Sequence, residues 1–367
     1  MIKKLLVVFA APALVSAFSL AASAADWNFY GSARMATFYT TDSNPGGSGG
    51  DGTQWDLNVQ TRIGVRVKHE SNVDGRIEIG LTDDVPGGGN AYSRRIFGEW
   101  DFGAGKLKVG KDYTPVTEFI FGQTFNFDGG LLGRGNYYGQ RQGQIGLSFG
   151  GFEFAAVTQN DKQIDDINGV GTDGDIKSYI PKLEARWSIA GDTFNFSIFG
   201  GFQYYTIDDV TPVGGGRSDD IDVTSWVIGG RGRLNFGPTY IKGTVSYDQN
   251  GEEAGWLGPR YVDSSAFWDG DDDIKDSNVF QAGIAAGFVM SDMVRFEAGV
   301  GYDNVSSDLK GSDDSNLWAA YGNAVIALAP GVWIIPEVGY YDNDVEPSNG
   351  HSAGNLWYAG GKWQIDF

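Results

Sequence analysis

The sequence predicts an all-β protein whose antiparallel strands close into a transmembrane barrel. From Trp27 to Phe367, segments of about ten residues alternate apolar and polar side chains with a period of two. The connections between them are alternately long and short and are rich in Gly, Asp, Asn and Ser. The chain also contains 56 Gly, 17 Tyr, 23 Phe and 11 Trp, which is typical of strands, tight turns and aromatic girdles.

The second candidate strand shows which face meets lipid. Between Trp55 and Lys68, every odd-numbered position is compatible with lipid, and every even-numbered position is polar or Gly. A shift of one residue would place Arg62 and Arg66 in hydrocarbon, at a cost of about 2–4 kcal/mol each near the midplane. The arginines are therefore predicted to face the lumen.

The same test along the chain predicts sixteen strands, an even number as expected of a single-chain bacterial barrel. Seven short and eight long connections join them, which is consistent with both termini on the periplasmic side. No linker divides residues 25–367, so we expect one barrel domain. The predicted strands lie near residues 27–40, 55–68, 75–82, 92–101, 106–112, 141–149, 152–160, 178–189, 194–206, 223–236, 239–248, 277–289, 294–303, 316–328, 332–341 and 355–367.

Residues 1–24 are predicted to be a secretory signal peptide. Lys3 and Lys4 precede an apolar run from Leu5 to Leu20, and Ala22-Ser23-Ala24 provides an A-x-A cleavage site. The run is too short and too rich in Ala and Ser for a transmembrane helix, and no later segment approaches about 18 apolar residues. Because the exported chain has no Cys, the fold must close through hydrogen bonds instead of disulfides.

Charge and motifs narrow the function classes. A formal net charge of −20 argues against nucleic acid as a partner, since phosphate binding requires a basic surface. The two histidines, His69 and His351, fall in connections at opposite ends of the barrel, and no nucleophile or phosphate-loop motif is present. We therefore expect neither an enzyme nor a cofactor. Asp269, Asp271 and Asp273 form a weak Ca²⁺ candidate without EF-hand spacing, and a solvated acidic loop is the favoured interpretation.

One stretch carries a more specific motif. Residues 95–103 read RIFGEWDFG, and residues 106–115 read KLKVGKDYTP. Together they resemble the motif of trimeric general porins of Gram-negative bacteria, approximately Phe-Val-Gly-Leu-x-Gly-x-Phe-Gly-x-Leu-x-Leu-Gly-Arg-Gln-x-Thr-Pro. The resemblance implies a hairpin of the fourth and fifth strands, followed by a third loop that folds into the barrel and narrows the pore. Here the hairpin precedes the long connection 113–140, and Lys111 replaces the usual Arg, which questions a bidentate contact there.

The C-terminus provides a second match. Trp363, Ile365 and Phe367 alternate with polar residues and end the chain on an aromatic side chain, which resembles the outer-membrane assembly signal. Ordinary residue usage would give a terminal Phe about once in 20 to 25 chains. The resemblance implies a multi-pass barrel in the outer membrane of a Gram-negative bacterium, and the assembly machinery as a partner.

Side chains at the narrowest part of the lumen would sort solutes by size and charge. The alternation predicts a net basic lumen wall, while most Asp residues fall in connections. In the porins that the motif resembles, a basic wall faces acids on the third loop. The equally favoured alternative is that any one of these residues is simply solvated away from the narrowest point. The predicted constriction set is Arg34, Arg62, Arg66 and Lys108 on the wall, with Glu118, Asp128 and Arg134 on the loop.

The sequence favours a passive diffusion channel for small hydrophilic solutes and ions. The resemblance implies a homotrimer in contact with outer-membrane lipid and lipopolysaccharide. One alternative is a substrate-specific channel, which a file of aromatic side chains along one lumen wall would favour; the predicted wall carries mainly charge. A barrel enzyme is less favoured because of the histidine positions. The sign of any ion selectivity stays open, since a basic wall attracts anions and acidic mouths attract cations.

Overall fold

The computed structural model describes residues 25–42, 51–85, 88–117, 119–161, 164–166, 174–210, 219–256, 265–268, 274–308, 314–342 and 354–367. In order these form β1 (Ala25–Asp42), β2 (Gly52–Leu57), β3 (Arg62–His69), β4 (Val73–Val85), β5 (Gly88–Asp101), β6 (Lys106–Tyr113), the helical turn α1 (Phe125–Asp128), β7 (Arg141–Phe149), β8 (Phe152–Val157), β9 (Asp165–Asp166), β10 (Asp175–Lys177), β11 (Lys182–Ala190), β12 (Phe194–Val210), β13 (Asp219–Phe236), β14 (Thr239–Gln249), β15 (Phe267–Trp268), β16 (Ile274–Lys275), β17 (Ser277–Val289), β18 (Val294–Ser307), β19 (Ser315–Ala329), β20 (Val332–Asp342) and β21 (Asn355–Asp366).

Eighteen of these strands form one antiparallel sheet that closes on itself. Strands β2 and β3 pair with successive parts of β1, and β10 and β11 pair with successive parts of β12, so each of these two pairs is a single crossing of the wall. The first and last strands close the ring, from Ser32 opposite Asp366 to Asp42 opposite Leu356. The wall therefore has sixteen antiparallel crossings, as predicted. The short strands β9, β15 and β16 form a separate sheet.

The side chains alternate across the wall as the period of two requires. Arg62 lies opposite Ser32 of β1, and both side chains face the lumen. At odd-numbered positions of the same two strands, Phe29 and Ile63 are 77% and 48% exposed on the outer surface, where hydrocarbon would cover them. The predicted facing of the arginines is confirmed.

Tight turns join several neighbouring strands. Gly150 and Gly151 connect β7 to β8 with φ of 54° and 86°. A two-residue hairpin with a type I′ turn needs positive φ at both central positions, which Gly adopts without steric cost. The predicted strands 141–149 and 152–160 leave the same two residues between them.

The predicted strand 55–68 is interrupted in the structure. Thr61 N donates to Asn58 O, and Asn58 N donates to Arg34 O of β1. The Asn58 and Thr61 side chains also bond to nearby backbone, with Asn58 Oδ1 accepting from Gln60 N and Thr61 Oγ1 accepting from Arg34 N. These local bonds compete with the strand ladder and split the crossing into β2 and β3.

The predicted strands 75–82 and 92–101 end too early, so the connection between them is shorter than residues 83–91. Strands β4 and β5 continue pairing from Thr82 opposite Asn90 to Val85 opposite Gly88. Further along this pair the register shifts, because Glu78 lies opposite Arg95 while Ile79 lies opposite Ser93. A bulge of this kind adds one residue to a strand and re-aims its side chain. Arg94 is the added residue, and it and Arg95 both turn towards the lumen.

The barrel interior contains two buried clusters that the wall alone does not supply. One includes Ile120, Phe121, Phe125 and Leu131 from the connection after β6. The other includes Val116 from the same connection and Trp256 from the connection after β14. None of the helices in the described ranges is long and apolar enough to cross a membrane.

Candidate pore constriction

The connection 114–140 crosses the lumen to the opposite wall. It leaves β6, and Gly122 N donates to Glu297 Oε1 of β18 over 2.7 Å. Strands β6 and β18 are separated by eight steps in either direction around the ring. Asn323 of β19 donates its Nδ2 to Gly122 O over 2.7 Å, so both polar groups of that peptide are engaged. The segment therefore spans the barrel from one side to the other.

Glu337 of β20 is the centre of this attachment. It accepts hydrogen bonds from Thr124 N at 2.7 Å and Phe125 N at 2.9 Å. Tyr358 OH and Asn323 Nδ2 donate to the same carboxylate at 3.1 and 3.0 Å. An ionised carboxylate has about four acceptor sites, and these donors use them. Glu337 is therefore a positioning residue for the connection.

Aromatic packing accompanies the polar attachment. The Phe125 ring stacks on Tyr358 with centroids 3.9 Å apart and 12° between planes, and meets Phe38 edge-on at 5.2 Å. All three rings are buried in the same cluster. Aromatic pairs of this geometry add about 0.5–1.5 kcal/mol beyond area burial.

Two glycines allow the backbone of the connection to touch the wall. Gly135 N donates to Asp303 Oδ1 over 2.5 Å. A Cβ on Gly301 of β18 would overlap Arg134 O, and a Cβ on Gly135 would overlap Ala282 O. Side chains at these positions would hold the connection away from the wall.

A second segment, Asn250–Trp256, also folds into the barrel. Lys182 Nζ donates to Ala254 O over 2.7 Å, and Trp256 Nε1 donates to Glu184 Oε1 over 2.8 Å. Glu184 Oε2 also accepts from Val116 N at 3.2 Å, so one buried carboxylate joins both segments to β11. The two segments also share a buried cluster with Phe199 of β12 and Val227 of β13.

The opposite part of the lumen is basic. Glu78 of β4 accepts from Arg94 Nε at 2.8 Å, from Arg76 Nη2 at 2.7 Å and from Tyr30 OH at 2.7 Å. Arg62 Nη1 lies 3.9 Å from the same carboxylate. One carboxylate thus faces three guanidinium groups, which leaves positive charge uncompensated.

Asp128 ends the turn α1 between two cations. Its Oδ2 lies 2.6 Å from Arg34 Nη1, and its Oδ1 lies 2.6 Å from Lys362 Nζ. These ion pairs tie the turn to β1 and β21, and they neutralise the negative charge of the aspartate.

The remaining predicted site residues lie in different surroundings. Arg66 faces the lumen with its guanidinium 5.3 Å from the Tyr30 ring centroid, and Lys108 pairs with Asp112 over 2.8 Å. Arg134 is 1% exposed and its Nη1 donates to Gly133 O. The structure thus brings Arg34, Arg62 and Asp128 into one region and holds Arg134 in the protein interior. Outside the described residues lie Glu118, His351, the signal peptide and the Ca²⁺ candidates Asp269, Asp271 and Asp273.

Among the residues that the structure describes, no group of His, Cys, Asp or Glu could hold a metal ion. Arg94 and Arg95 are lumen residues that the strict period of two did not predict, because the bulge in β5 reverses the facing there. Two adjacent arginines within an otherwise alternating strand are the signal that could have indicated them.

Comparison with known proteins agrees with this architecture. The channel DcaP of Acinetobacter baumannii has 14% sequence identity and a TM-score of 0.71, over 94% of this chain and 98% of that chain. OmpT of Vibrio cholerae, in a trimer form, has 14% identity and a TM-score of 0.56, over 94% and 100%. An anion-selective porin from Comamonas acidovorans has 12% identity and a TM-score of 0.57, also over 94% and 100%. At these identities the likeness concerns the fold alone.

The family comparison concerns the sequence itself. A search of curated proteins gives no match. A family model described as Gram-negative porin matches residues 10–365, almost the whole chain. The chain therefore belongs to the Gram-negative porin family and is a diffusion channel of the outer membrane.

Proposed function

We propose that the connection 114–140 forms the constriction of this channel, and that the open path runs along the basic wall of β1–β6. The observation that carries the proposal is the attachment of the connection to β18–β21 while arginines line the other side. The segment Asn250–Trp256 supports it by packing inside the barrel against β11, β12 and β13. Solutes would be sorted by the width of the remaining passage and by its charge.

The charge of the passage favours small anions. Near the constriction, six cationic side chains surround two carboxylates among the described residues. Low-dielectric walls focus such a field and raise the local concentration of oppositely charged solutes. The cations are Arg34, Arg62, Arg66, Arg76, Arg94 and Lys362, and the carboxylates are Glu78 and Asp128.

Planar-bilayer recordings under a salt gradient test this proposal. Ohmic openings with a reversal potential on the anion side are expected. Changing Arg62→Glu together with Arg66→Glu should move the reversal potential towards cations. The matched control, Arg231→Glu with Arg233→Glu, alters the same charge on β13, directly opposite β3. Equal shifts for the two pairs, or none for the first, would refute the proposed path.

We also propose that the channel is a homotrimer in contact with outer-membrane lipid and lipopolysaccharide, assembled after removal of residues 1–24. The trimer form of OmpT, a structural neighbour, supports the oligomeric state. Mass measurement in detergent should give three subunits. A monomer there would contradict the proposal.

The C-terminal strand would act as the assembly signal through Trp363, Ile365 and Phe367. Trp363 and Ile365 lie exposed on the outer face. Phe367 O accepts from Gly31 N at 2.6 Å, and Phe367 N donates to Gly31 O at 3.1 Å. Phe367→Ala should slow assembly in the outer membrane, measured as the heat-modifiable fraction after a pulse of synthesis. Assembly at the normal rate would remove Phe367 from this role.

A further inference from the structure

The connection 114–140 carries an exposed aromatic patch inside the barrel. The Phe119 side chain is 54% exposed, although the connection lies within the lumen on both sides of it. Its ring centroid lies 5.0 Å from that of Tyr113 and 5.7 Å from that of Tyr138. Leaving a phenyl ring half in water forfeits part of the roughly 1.5–3 kcal/mol that full burial provides. An apolar surface at this position is therefore available to a passing solute.

Guanidinium groups surround the same patch. The Tyr113 ring centroid lies 5.3 Å from the Arg95 guanidinium carbon and 5.5 Å from that of Arg141. Arg94 Nη2 approaches Tyr113 OH at 3.4 Å. Arg141 Nη1 is buried and makes no hydrogen bond with the described protein atoms. A guanidinium group with an unused N–H can donate a hydrogen bond to a carboxylate.

Among the residues that the structure describes, Asp112 is the acid that contacts this cluster, and it does not cancel the charge. Asp112 is already paired with Arg95 at 2.5 Å and with Lys108 at 2.8 Å. The described side chains of the patch therefore combine an apolar aromatic surface with net positive charge. A cationic aromatic solute would be repelled, and an aliphatic anion would leave the Phe119 ring in water.

We propose that this patch, defined by Tyr113, Phe119, Tyr138, Arg95 and Arg141, is a binding site for small aromatic carboxylates. The solute ring packs on Phe119, and its carboxylate accepts hydrogen bonds from Arg141 and Arg95. This inference rests on the proposed path along the basic wall, and it adds a solute preference to general diffusion.

Current block in planar bilayers tests the site with three probes. Sodium benzoate carries both a ring and a carboxylate, acetate carries the charge without the ring, and benzamide carries the ring without the charge. Benzoate added to one side should reduce chloride current in a saturable manner at millimolar concentration. Acetate and benzamide should each need a concentration at least about tenfold higher than benzoate for the same reduction in current. Equal effects of benzoate and acetate would overturn the proposal.

Substitutions at the patch test whether benzoate blocks the current by binding there. Phe119→Ala and Phe119→Leu should each raise the half-blocking benzoate concentration about three- to tenfold, the range expected for one lost aromatic pair. Phe119→Leu keeps most of the apolar volume, so it can test the site if the alanine variant fails to assemble. Arg141→Gln should raise the half-blocking benzoate concentration by a similar factor. The control is Arg233→Gln, since Arg233 also lies over a lumen aromatic ring, Tyr240, at 4.0 Å, but on β13. Unchanged block in the Phe119 variants, or the same loss in the control, would refute the site.

The two proposals fail in different ways. If the reversal potential lies on the anion side but benzoate does not block selectively, the aromatic site is refuted and the proposed constriction stands. If the channel is cation-selective, or if the Arg62 and Arg66 changes leave its reversal potential unaltered, the proposed path is refuted, whatever benzoate does.

Discussion

Removing the Glu337 carboxylate should release the connection 114–140 from the wall. In the structure the carboxylate accepts the backbone N–H groups of Thr124 and Phe125 at 2.7 and 2.9 Å. Hydrogen bonds to charged groups contribute about 1.5–3 kcal/mol each, so the two together hold the connection by about 3–6 kcal/mol. Because 1.4 kcal/mol is a factor of ten, Glu337→Ala should raise the ratio of released to attached connection by at least about a hundredfold.

The assay is liposome swelling with uncharged sugars of increasing size. A released connection widens the passage, so the rate for a trisaccharide relative to a pentose should rise in Glu337→Ala. Glu337→Gln keeps one acceptor oxygen and should give an intermediate ratio. The control Glu99→Ala removes another lumen carboxylate, which pairs with Lys106 and Lys108 of β6.

The barrel wall itself should survive the Glu337 change, which heat-modifiable migration in gels verifies. A correctly assembled Glu337→Ala channel with the same sugar ratio as Glu99→Ala would refute the reasoning. It would mean that the aromatic packing and the remaining polar contacts hold the connection without this carboxylate.

Two further changes test the same geometry. Gly301→Ala should push Arg134 O and its connection from the wall at a cost of about 1–3 kcal/mol, seen as a lower thermal midpoint and unstable single-channel current. Gly322→Ala is its control, since a Cβ there has no atom within 4 Å, and an equal loss would contradict the steric argument. Asp128→Asn frees two cations. One unit charge acting through water at about 5–8 Å shifts the energy of an anion by about 0.5–0.8 kcal/mol and that of a cation by as much in the opposite sense, so the anion-to-cation permeability ratio should rise about five- to fifteenfold. A ratio that falls would show that Asp128 acts mainly by holding the turn.

The wall could be predicted because it follows a local rule. A strand that meets lipid on one face and water on the other must alternate its side chains, and a shift of one residue would reverse every one of them. The facing of Arg62 and the number of crossings follow from that rule and from the turn residues between strands. The rule fails where the backbone departs from regular pairing, as at the Arg94–Arg95 bulge and at residues 58–61.

The interior depends on contacts between residues far apart in the chain. Thr124 and Glu337 are 213 positions apart, and Gly122 and Glu297 are 175 positions apart. Neither end of such a contact has a periodic signature, because a carboxylate that holds a loop and one that lines water look alike in sequence. Glu184, Glu297 and Glu337 all point inward, but the connections cover them.

The sequence by itself determined that this chain is an exported barrel of sixteen crossings with arginines on its inner face, because burial in lipid imposes a repeating constraint on every strand. Only the tertiary structure decided where the lumen stays open and which charges remain uncompensated there. That outcome depends on irregular backbone whose hydrogen bonds must be satisfied by particular wall side chains, and such pairings exist only once the ring has closed.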